Sequence, residues 1–508
     1  MRPALRFFAS RPLSSAALAG VLAVGAFEPL DQPLLGILAP AMLLLLWQSS
    51  TGPGRAALSG FAFGAGFFGA GVSWVYVSLH TFGMMPAPLA ALATLLFCAF
   101  LALFPAAVGY AQASMQVGRT ATLLLAVPAL WALLEWLRSW IFTGFPWATA
   151  GYAHNIGPLG GYAPVIGVYG VSVLAAVCAG ALAILTQRAR LVGVGVLVAL
   201  LGAGYGLTFV DWTHPQGQPL AVRLLQGNVP QQEKFDTQHI RDALALYLDM
   251  IEAQPADLIA TPETAIVLFP YQLPPGYLTG LRDFAVKSNS ALLYGIPLTL
   301  EIEQFSNSVA GVSPSGAFYH YDKHHLVPFG EFVPYGFHWF VRMLQIPLGD
   351  FNSGADVQPA FAVKDQWVLP NICFEDLFGE EIAKQLRGAE HPATMLLNVS
   401  NLAWFGESIA VPQHLQISQM RALETGRPML RSTNTGATAV IDAHGAVLAR
   451  LAPYTRGTLA LKVQGMAGST PYIVLGNALF LLLAALTLAG AWYAGRKSGK
   501  ISAKPPQK

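Results

Sequence analysis

The chain is 508 residues long, 54% hydrophobic and only 11% charged, with a mean hydropathy of +0.49, which excludes an ordinary soluble enzyme of this length. Its formal net charge of +2 comes with no basic stripe interleaved with aromatics in the polar part, so nucleic acid is excluded as the expected partner. Charged residues concentrate between about Pro219 and Gln464 and are sparse before about Val210, dividing the chain into an apolar part and a polar part.

A helix needs roughly 20 mainly apolar residues to cross a bilayer core. Stretches of that kind fall at 13–30, 34–49, 56–79, 88–112, 121–140, 162–186 and 191–210, and an eighth at 471–494. The first has no clear small-x-small cleavage site and reads as a span rather than a removed leader. Glycine-rich patches within these stretches lack the strand-to-helix context of a phosphate loop and read as close helix packing. Arg2, Arg6 and Arg11 precede the first stretch, and Arg55, Arg119 and the pair Arg188 and Arg190 fall in every second loop. With the basic tail GRKSGKISAKPPQK, which reads as a topology anchor, this asymmetry predicts cytoplasmic N- and C-termini and a polar domain on the outer side. The expected organisation is a membrane domain over 1–212 with about seven spans, a polar domain over 219–466, and a last span with its tail over 467–508. Glu135, Trp136 and Arg138 close the fifth span. Pairing of Arg138 with Glu135, contact with a lipid phosphate, and snorkelling to the interface are open readings there.

From Ala221 the pattern alternates short apolar runs with helical ones: AVRLLQ, HIRDALALYLDMIEA, DLIATPE, YLTGLRDFAVKSN and ALLYGIP. That rhythm predicts an α/β domain. NSVAGVSPSGAFYHY and TAVIDAHGAVLARL instead read as hairpins with Ser-Gly and His-Gly turns, so the sheet is expected to be mixed. Reactive groups in such domains gather beyond the carboxyl ends of strands. Glu263 closes DLIATPE, Lys323 follows AFYHYD, and Cys373 closes QWVLPNIC.

Cys98 and Cys178 lie in apolar runs, which leaves Cys373 as a lone thiol in the polar part. A thiol becomes a nucleophile only when deprotonated. A lysine lowers its pKa and supplies positive charge to a developing oxyanion, and a glutamate takes the proton and returns one later. Taken singly, each of the three residues reads as an inert core thiol or a solvated edge charge.

TPETA around Glu263, YDKHHLVPFGEFVP around Lys323 and Glu331, and NICFED around Cys373 resemble, in the same order, the Glu, Lys and Cys motifs of the nitrilase (carbon-nitrogen hydrolase) superfamily. Within it, HLVPFGEFVP, LLNVSNLAWFGES, PQHLQISQMRALETGRPMLRSTNTG and EWLRSWIFTGFPWATAGY resemble the bacterial apolipoprotein N-acyltransferases over nearly the whole chain. The resemblance implies a multi-pass α-helical membrane domain of about eight spans joined to an α/β domain, an αββα sandwich, in the bacterial inner (cytoplasmic) membrane with its catalytic domain periplasmic. It implies that Cys373 attacks a phospholipid ester, phosphatidylethanolamine being the expected donor. The resulting thioester then passes its acyl group to the α-amine of the diacylglyceryl-cysteine of an apolipoprotein. Glu263 and Lys323 complete the triad, Glu331 positions Lys323, and Phe374 and Glu375 flank the nucleophile, with the Phe374 N–H a donor to the oxyanion. A monomer is expected.

Departures from the family pattern are Phe235 where many relatives carry Trp, and Leu402 in place of the usual Asp. Between the Lys and Cys motifs, Phe337, Trp339, Phe340, Met343, Leu344 and Ile346 crowd one segment that reads as an interfacial lid or as core. Trp404 and Phe405 face the same choice, with core packing the simpler reading. The adjacent His324 and His325 are wrongly spaced for one metal face, and no metal or cofactor is expected. Two rival functions are a membrane-tethered amidase, in which water resolves the acyl-enzyme, and a noncatalytic lipoprotein-binding module that merely retains the fold.

Overall fold

The computed structural model describes residues 11–502 except 116, 188, 235, 302–303 and 334–350. Two compact units are present: Met1–Tyr76, Pro86–Val210 and Leu475–Lys508 form one, and Val77–Met85 with Asp211–Val474 the other.

The first unit is helical. Proline opens Pro12–Val24, Pro53–Gly71 and Ala87–Ser114, where a missing N–H costs nothing. Among the described residues, Ala87–Ser114, Arg119–Arg138, Gly160–Leu185 and Arg190–Leu207 are long and apolar enough to cross a membrane, and the broken pair Pro53–Gly71 and Val75–Phe82 makes a fifth if counted as one. Pro12–Val24, Leu35–Gln48 and Ala478–Tyr493 are apolar but shorter. Eight apolar stretches were expected to span; among the described residues, four helices are long and apolar enough to do so. The first two are cut short by the sequence GAFEPLDQP, whose charges and prolines end one helix and delay the next. The glycine-rich stretches serve packing: a Cβ on Gly60 would lie 2.3 Å from the Pro105 carbonyl oxygen of the neighbouring helix.

Arg138 and Glu135 are buried in this unit, which overturns snorkelling. The Arg138 guanidinium donates to the carbonyls of Phe145 at 2.5 Å and Trp147 at 2.6 Å and to the Thr149 hydroxyl at 3.2 Å. Glu135 accepts from the Trp131 indole at 3.1 Å and the Ala150 N–H at 3.0 Å. The pair therefore braces the chain that follows the Arg119–Arg138 helix.

The second unit is built on two six-stranded sheets. One runs β12-β1-β2-β3-β4-β5, with β1 Thr213–Gln226, β2 Leu258–Ala260, β3 Ala291–Glu301, β4 Gln304–Val312, β5 Phe318–Asp322 and β12 Gly457–Gly468. The other runs β11-β10-β9-β8-β7-β6, with β6 Phe361–Val363, β7 Gln366–Ile372, β8 Met395–Ser400, β9 Met429–Thr433, β10 Ala439–Ile441 and β11 Val447–Arg450. Each sheet is mixed, as expected: β1, β2 and β3 are parallel, as are β7, β8 and β9, and the remaining pairs are antiparallel. Both expected hairpins form, β4 with β5 and β10 with β11.

Alternation along the strands fixes the layers. Leu258 and Ala260 of β2 join Leu224, Leu293, Val368, Ile372, Leu397 and Leu430 in one buried cluster, so the sheets face each other. Ile259 points the other way, into a cluster with Leu244 and Ile251 of the Thr237–Glu252 helix and Leu281 and Ala285 of the Tyr277–Ser288 helix. The Gly379–Gly388 and Ala410–Thr425 helices pack with the second sheet through Ile382, Leu386, Leu415 and Ala422. The result is a four-layer αββα sandwich. Each fully buried Leu or Ile contributes roughly 1.5–3 kcal/mol of transfer free energy to it.

Candidate active site

The turn after β2 carries Glu263, and β3 holds that turn in place. The Thr261 N–H donates to the Leu293 carbonyl at 2.9 Å, the Gly295 N–H to the Thr261 hydroxyl at 3.1 Å, and the Ile266 N–H to the Gly295 carbonyl at 3.0 Å. Glycine is required at 295 because a Cβ there would lie 2.4 Å from the Pro262 oxygen and 2.5 Å from the Thr264 nitrogen. The buried Glu263 carboxylate then accepts from the Asn401 N–H and from the Asn307 amide, each at 2.9 Å.

Lys323 follows β5 and is anchored by its N–H donating to the Asn307 carbonyl at 2.8 Å. Its ammonium, 1% exposed, lies 2.9 Å from the Glu331 carboxylate and 3.5 Å from that of Glu263. Asn307, on β4, donates to both carboxylates, reaching Glu331 at 2.7 Å. Glu331 is oriented by the Val327 N–H, which donates to it at 2.8 Å.

Cys373 follows β7 at φ +53, a conformation non-glycine residues seldom adopt. Its carbonyl accepts from the Asn398 amide at 3.3 Å. Asn398 is itself set by the Asn371 side-chain oxygen at 2.7 Å and the Ser400 hydroxyl at 2.5 Å. Two residues on, Glu375 accepts the Ile372 and His324 N–H groups at 2.6 Å each and the Tyr321 hydroxyl at 3.1 Å. One carboxylate thus ties the Lys323 loop on one sheet to the Cys373 turn on the other.

Electrostatics follow from burial. Burial pushes the Cys373 thiol up, and Glu263 adds to the rise while Lys323 opposes it. For Lys323, burial opposes the charge, yet Glu331 and Glu263 outweigh it and hold the ammonium above its ordinary range. Burial raises Glu375 to about 7 against the hydrogen bond from Ile372 and the charge of Lys323. The resting site therefore holds a neutral thiol beside a carboxylate and a firmly charged ammonium. Behind the Cys373 turn, buried Asp376 pairs with Arg431 at 3.1 Å and accepts from Ser418. Arg431 also donates to the Nδ1 atom of His414 at 2.9 Å, which, with burial, keeps that imidazole neutral.

Residues 19–181 match the apolipoprotein N-acyltransferase N-terminal domain, and residues 221–472 match the carbon-nitrogen hydrolase family. The apolipoprotein N-acyltransferase of Ralstonia nicotianae is 50% identical over 504 residues, covering 97% of this chain and 95% of that protein. The chain belongs to the apolipoprotein N-acyltransferase family. A second member, from Nitrosomonas europaea, is 45% identical over 491 residues, covering 94% of this chain and 97% of its own length. Among solved structures, XC1258 from Xanthomonas campestris, a CN-hydrolase superfamily protein, aligns with 53% of this chain and 97% of its own at 19% identity and a TM-score of 0.38.

In this family member, five residues singled out in the sequence gather at one place: Glu263, Lys323, Glu331, Cys373 and Glu375. Phe374 is buried, its ring 5.3 Å from that of Phe378. Trp404 is 41% exposed, which corrects the core reading. A short turn after β8 carries its ring outward, edge-on to Phe82 at 6.0 Å, and its carbonyl accepts from the Ser78 hydroxyl at 2.8 Å. Leu402, where an Asp is usual, is fully buried. His324 and His325 go to different carboxylates, Asp356 at 3.2 Å and Glu381 at 2.8 Å. Phe235, Phe337, Trp339, Phe340, Met343, Leu344 and Ile346 lie outside the described residues.

Asn307, Asn398, Asn401 and Lys234 escaped the sequence reading. The first three had a signal: SNS within a strand and LNVSN at a strand end are polar runs where the surrounding pattern demands burial, and buried amides are hydrogen-bonded. Lys234 had none, because Glu233 and Asp236 beside it make it look like a solvated loop charge. It is 4% exposed, and its ammonium donates to the Thr264 hydroxyl at 2.6 Å and the Glu263 carbonyl at 3.3 Å.

Proposed function

We propose that this protein N-acylates the diacylglyceryl-cysteine of apolipoproteins from a phospholipid donor by a ping-pong reaction through a thioester on Cys373. The observation that carries the reading is the convergence of Glu263, Lys323 and Glu331 around a strand-end thiol at positive φ.

Because the thiol is neutral at rest, Glu263 acts as an explicit base. It takes the Cys373 proton as sulfur attacks the ester carbonyl, and Lys323 with the Phe374 N–H stabilises the oxyanion. Collapse breaks the ester C–O bond, and the Glu263 proton leaves with the lysophospholipid oxygen. The acceptor amine then attacks the thioester carbonyl, Glu263 receives the amine proton, and collapse breaks the C–S bond. That proton returns to the sulfur, restoring the thiol. Glu331 and Asn307 keep Lys323 and Glu263 in register throughout.

The apolar helices of the first unit favour a lipid donor over the soluble substrate of an amidase. In the same reading, the eight apolar stretches each cross the inner membrane, both termini are cytoplasmic, the sandwich is periplasmic, phosphatidylethanolamine is the donor, and the enzyme is a monomer. The arginines of alternate loops support the orientation.

The test is intact-protein mass spectrometry after incubation with phosphatidylethanolamine. One acyl mass on Cys373, discharged by a diacylglyceryl-cysteine peptide, is the expected result. A wild-type enzyme that acylates the peptide without ever showing the adduct refutes the covalent route, and a Cys373→Ala variant that still transfers removes Cys373 as nucleophile.

A further inference from the structure

The site has a charge imbalance. Two carboxylates, Glu263 and Glu331, face one ammonium, Lys323, so the cluster carries a surplus negative charge beside the thiol. Both carboxylates push the Cys373 thiol up. A reaction that must develop negative charge on sulfur and then on an acyl oxygen is poorly served by that surplus.

Lys234 is a further buried cation, and unlike Arg431, which is paired with Asp376, it has no carboxylate in ion-pair contact among the described residues. Among the described residues, its hydrogen-bond acceptors are a hydroxyl and a carbonyl, both neutral, so its charge is not cancelled where it sits. Those acceptors belong to Thr264 and Glu263, the turn that presents the base, and Thr264 itself has φ +46. A fully buried ammonium costs several kcal/mol of desolvation unless something offsets it. The groups acting on it electrostatically are Glu263 and the Cys373 thiol. Glu233 and Asp236 of its own loop instead lie against His239 on the surface, at 4.0 Å and 3.0 Å.

We infer that Lys234 is a second active-site cation, a positioning residue that clamps the Glu263 turn and balances the surplus negative charge facing Cys373. The inference rests on Cys373 being the reactive thiol, and it holds for any acyl donor or acceptor. Burial lowers the Lys234 pKa to about 8, opposed by Glu263 and Cys373. Its charge is therefore present at neutral pH and lost in mildly alkaline solution. That loss raises the cost of the thiolate just where alkalinity would otherwise favour it.

The experiment measures iodoacetamide alkylation of Cys373 in the full-length detergent-purified protein across pH, read by peptide mass so that Cys98 and Cys178 do not contribute. It uses no lipid, so a failure here is separate from a failure of the proposed acyl transfer. Lys234→Met is expected to slow alkylation at pH 7 about tenfold, the effect of one pKa unit on the thiolate fraction. Lys234→Arg keeps its charge, so its rate relative to wild type is expected to climb through pH 8 whatever its absolute value. Should the Met variant not fold, the Arg ratio alone decides. A Met variant alkylated like wild type, or an Arg-to-wild-type ratio flat across pH, overturns the inference.

Discussion

The His324 backbone N–H donates to the Glu375 carboxylate at 2.6 Å, joining the residue after the lysine of one sheet to the residue two after the cysteine of the other. Ile372 and Tyr321 donate to the same carboxylate. Glutamine cannot accept all these donors, because one of its two terminal atoms is itself a donor. Glu375→Gln is expected to lower stability by about 1–3 kcal/mol and to slow thioester formation, both measured in detergent by thermal melting and adduct mass. A variant as stable and as fast as wild type would leave Glu375 without its bracing role.

The same carboxyl gives a pH dependence. Its folded pKa, about 7, stands above the ordinary value of 4.5, so between those pH values the folded state binds more protons than the unfolded one. The contribution of Glu375 is therefore full below pH 4.5 and is lost as pH rises through 7. The stability difference between wild type and Glu375→Gln is expected to narrow across that window; a difference that widens contradicts the assignment.

Glu263→Gln preserves shape and removes the base. Since the thiol is neutral at rest, thioester formation is expected to fall about 10²–10⁴-fold, with folding intact by melting temperature. A loss of less than about threefold would mean that another group takes the proton.

Asn307 donates to two carboxylates at once, and aspartate in its place would put a third negative charge between them. Asn307→Asp is expected to be slower than Asn307→Ala in adduct formation and to carry a higher alkylation pKa at Cys373. Equal rates and pKa values for the two variants would show that the amide acts only by filling space.

Gly295→Ala tests the fit of the Glu263 turn without removing any polar group. Its methyl would overlap the Pro262 oxygen and Thr264 nitrogen, so a destabilisation of about 1–3 kcal/mol and a rate loss are expected. Unchanged kinetics would show that the turn can shift without moving the base.

Much of the site was legible because its charged members close strands, and strand ends are recognisable from runs such as DLIATPE and QWVLPNIC. The amides were harder. Asn307 sits mid-strand, and only the register of β4 against β5 brings it over Lys323. Lys234 was hidden because sequence shows charge but not burial. In the apolar part, composition placed the apolar stretches, four of which coincide with described helices long enough to cross a membrane, while GAFEPLDQP shortens the first two.

The sheet that carries Glu263, Asn307 and Lys323 ends in β12, which pairs with β1 across more than half of the domain's sequence. Ribosomal synthesis delivers that closing strand last. A chain shortened before β12 keeps Cys373 but leaves β1 as an open edge of the first sheet, a backbone template for pairing with another chain.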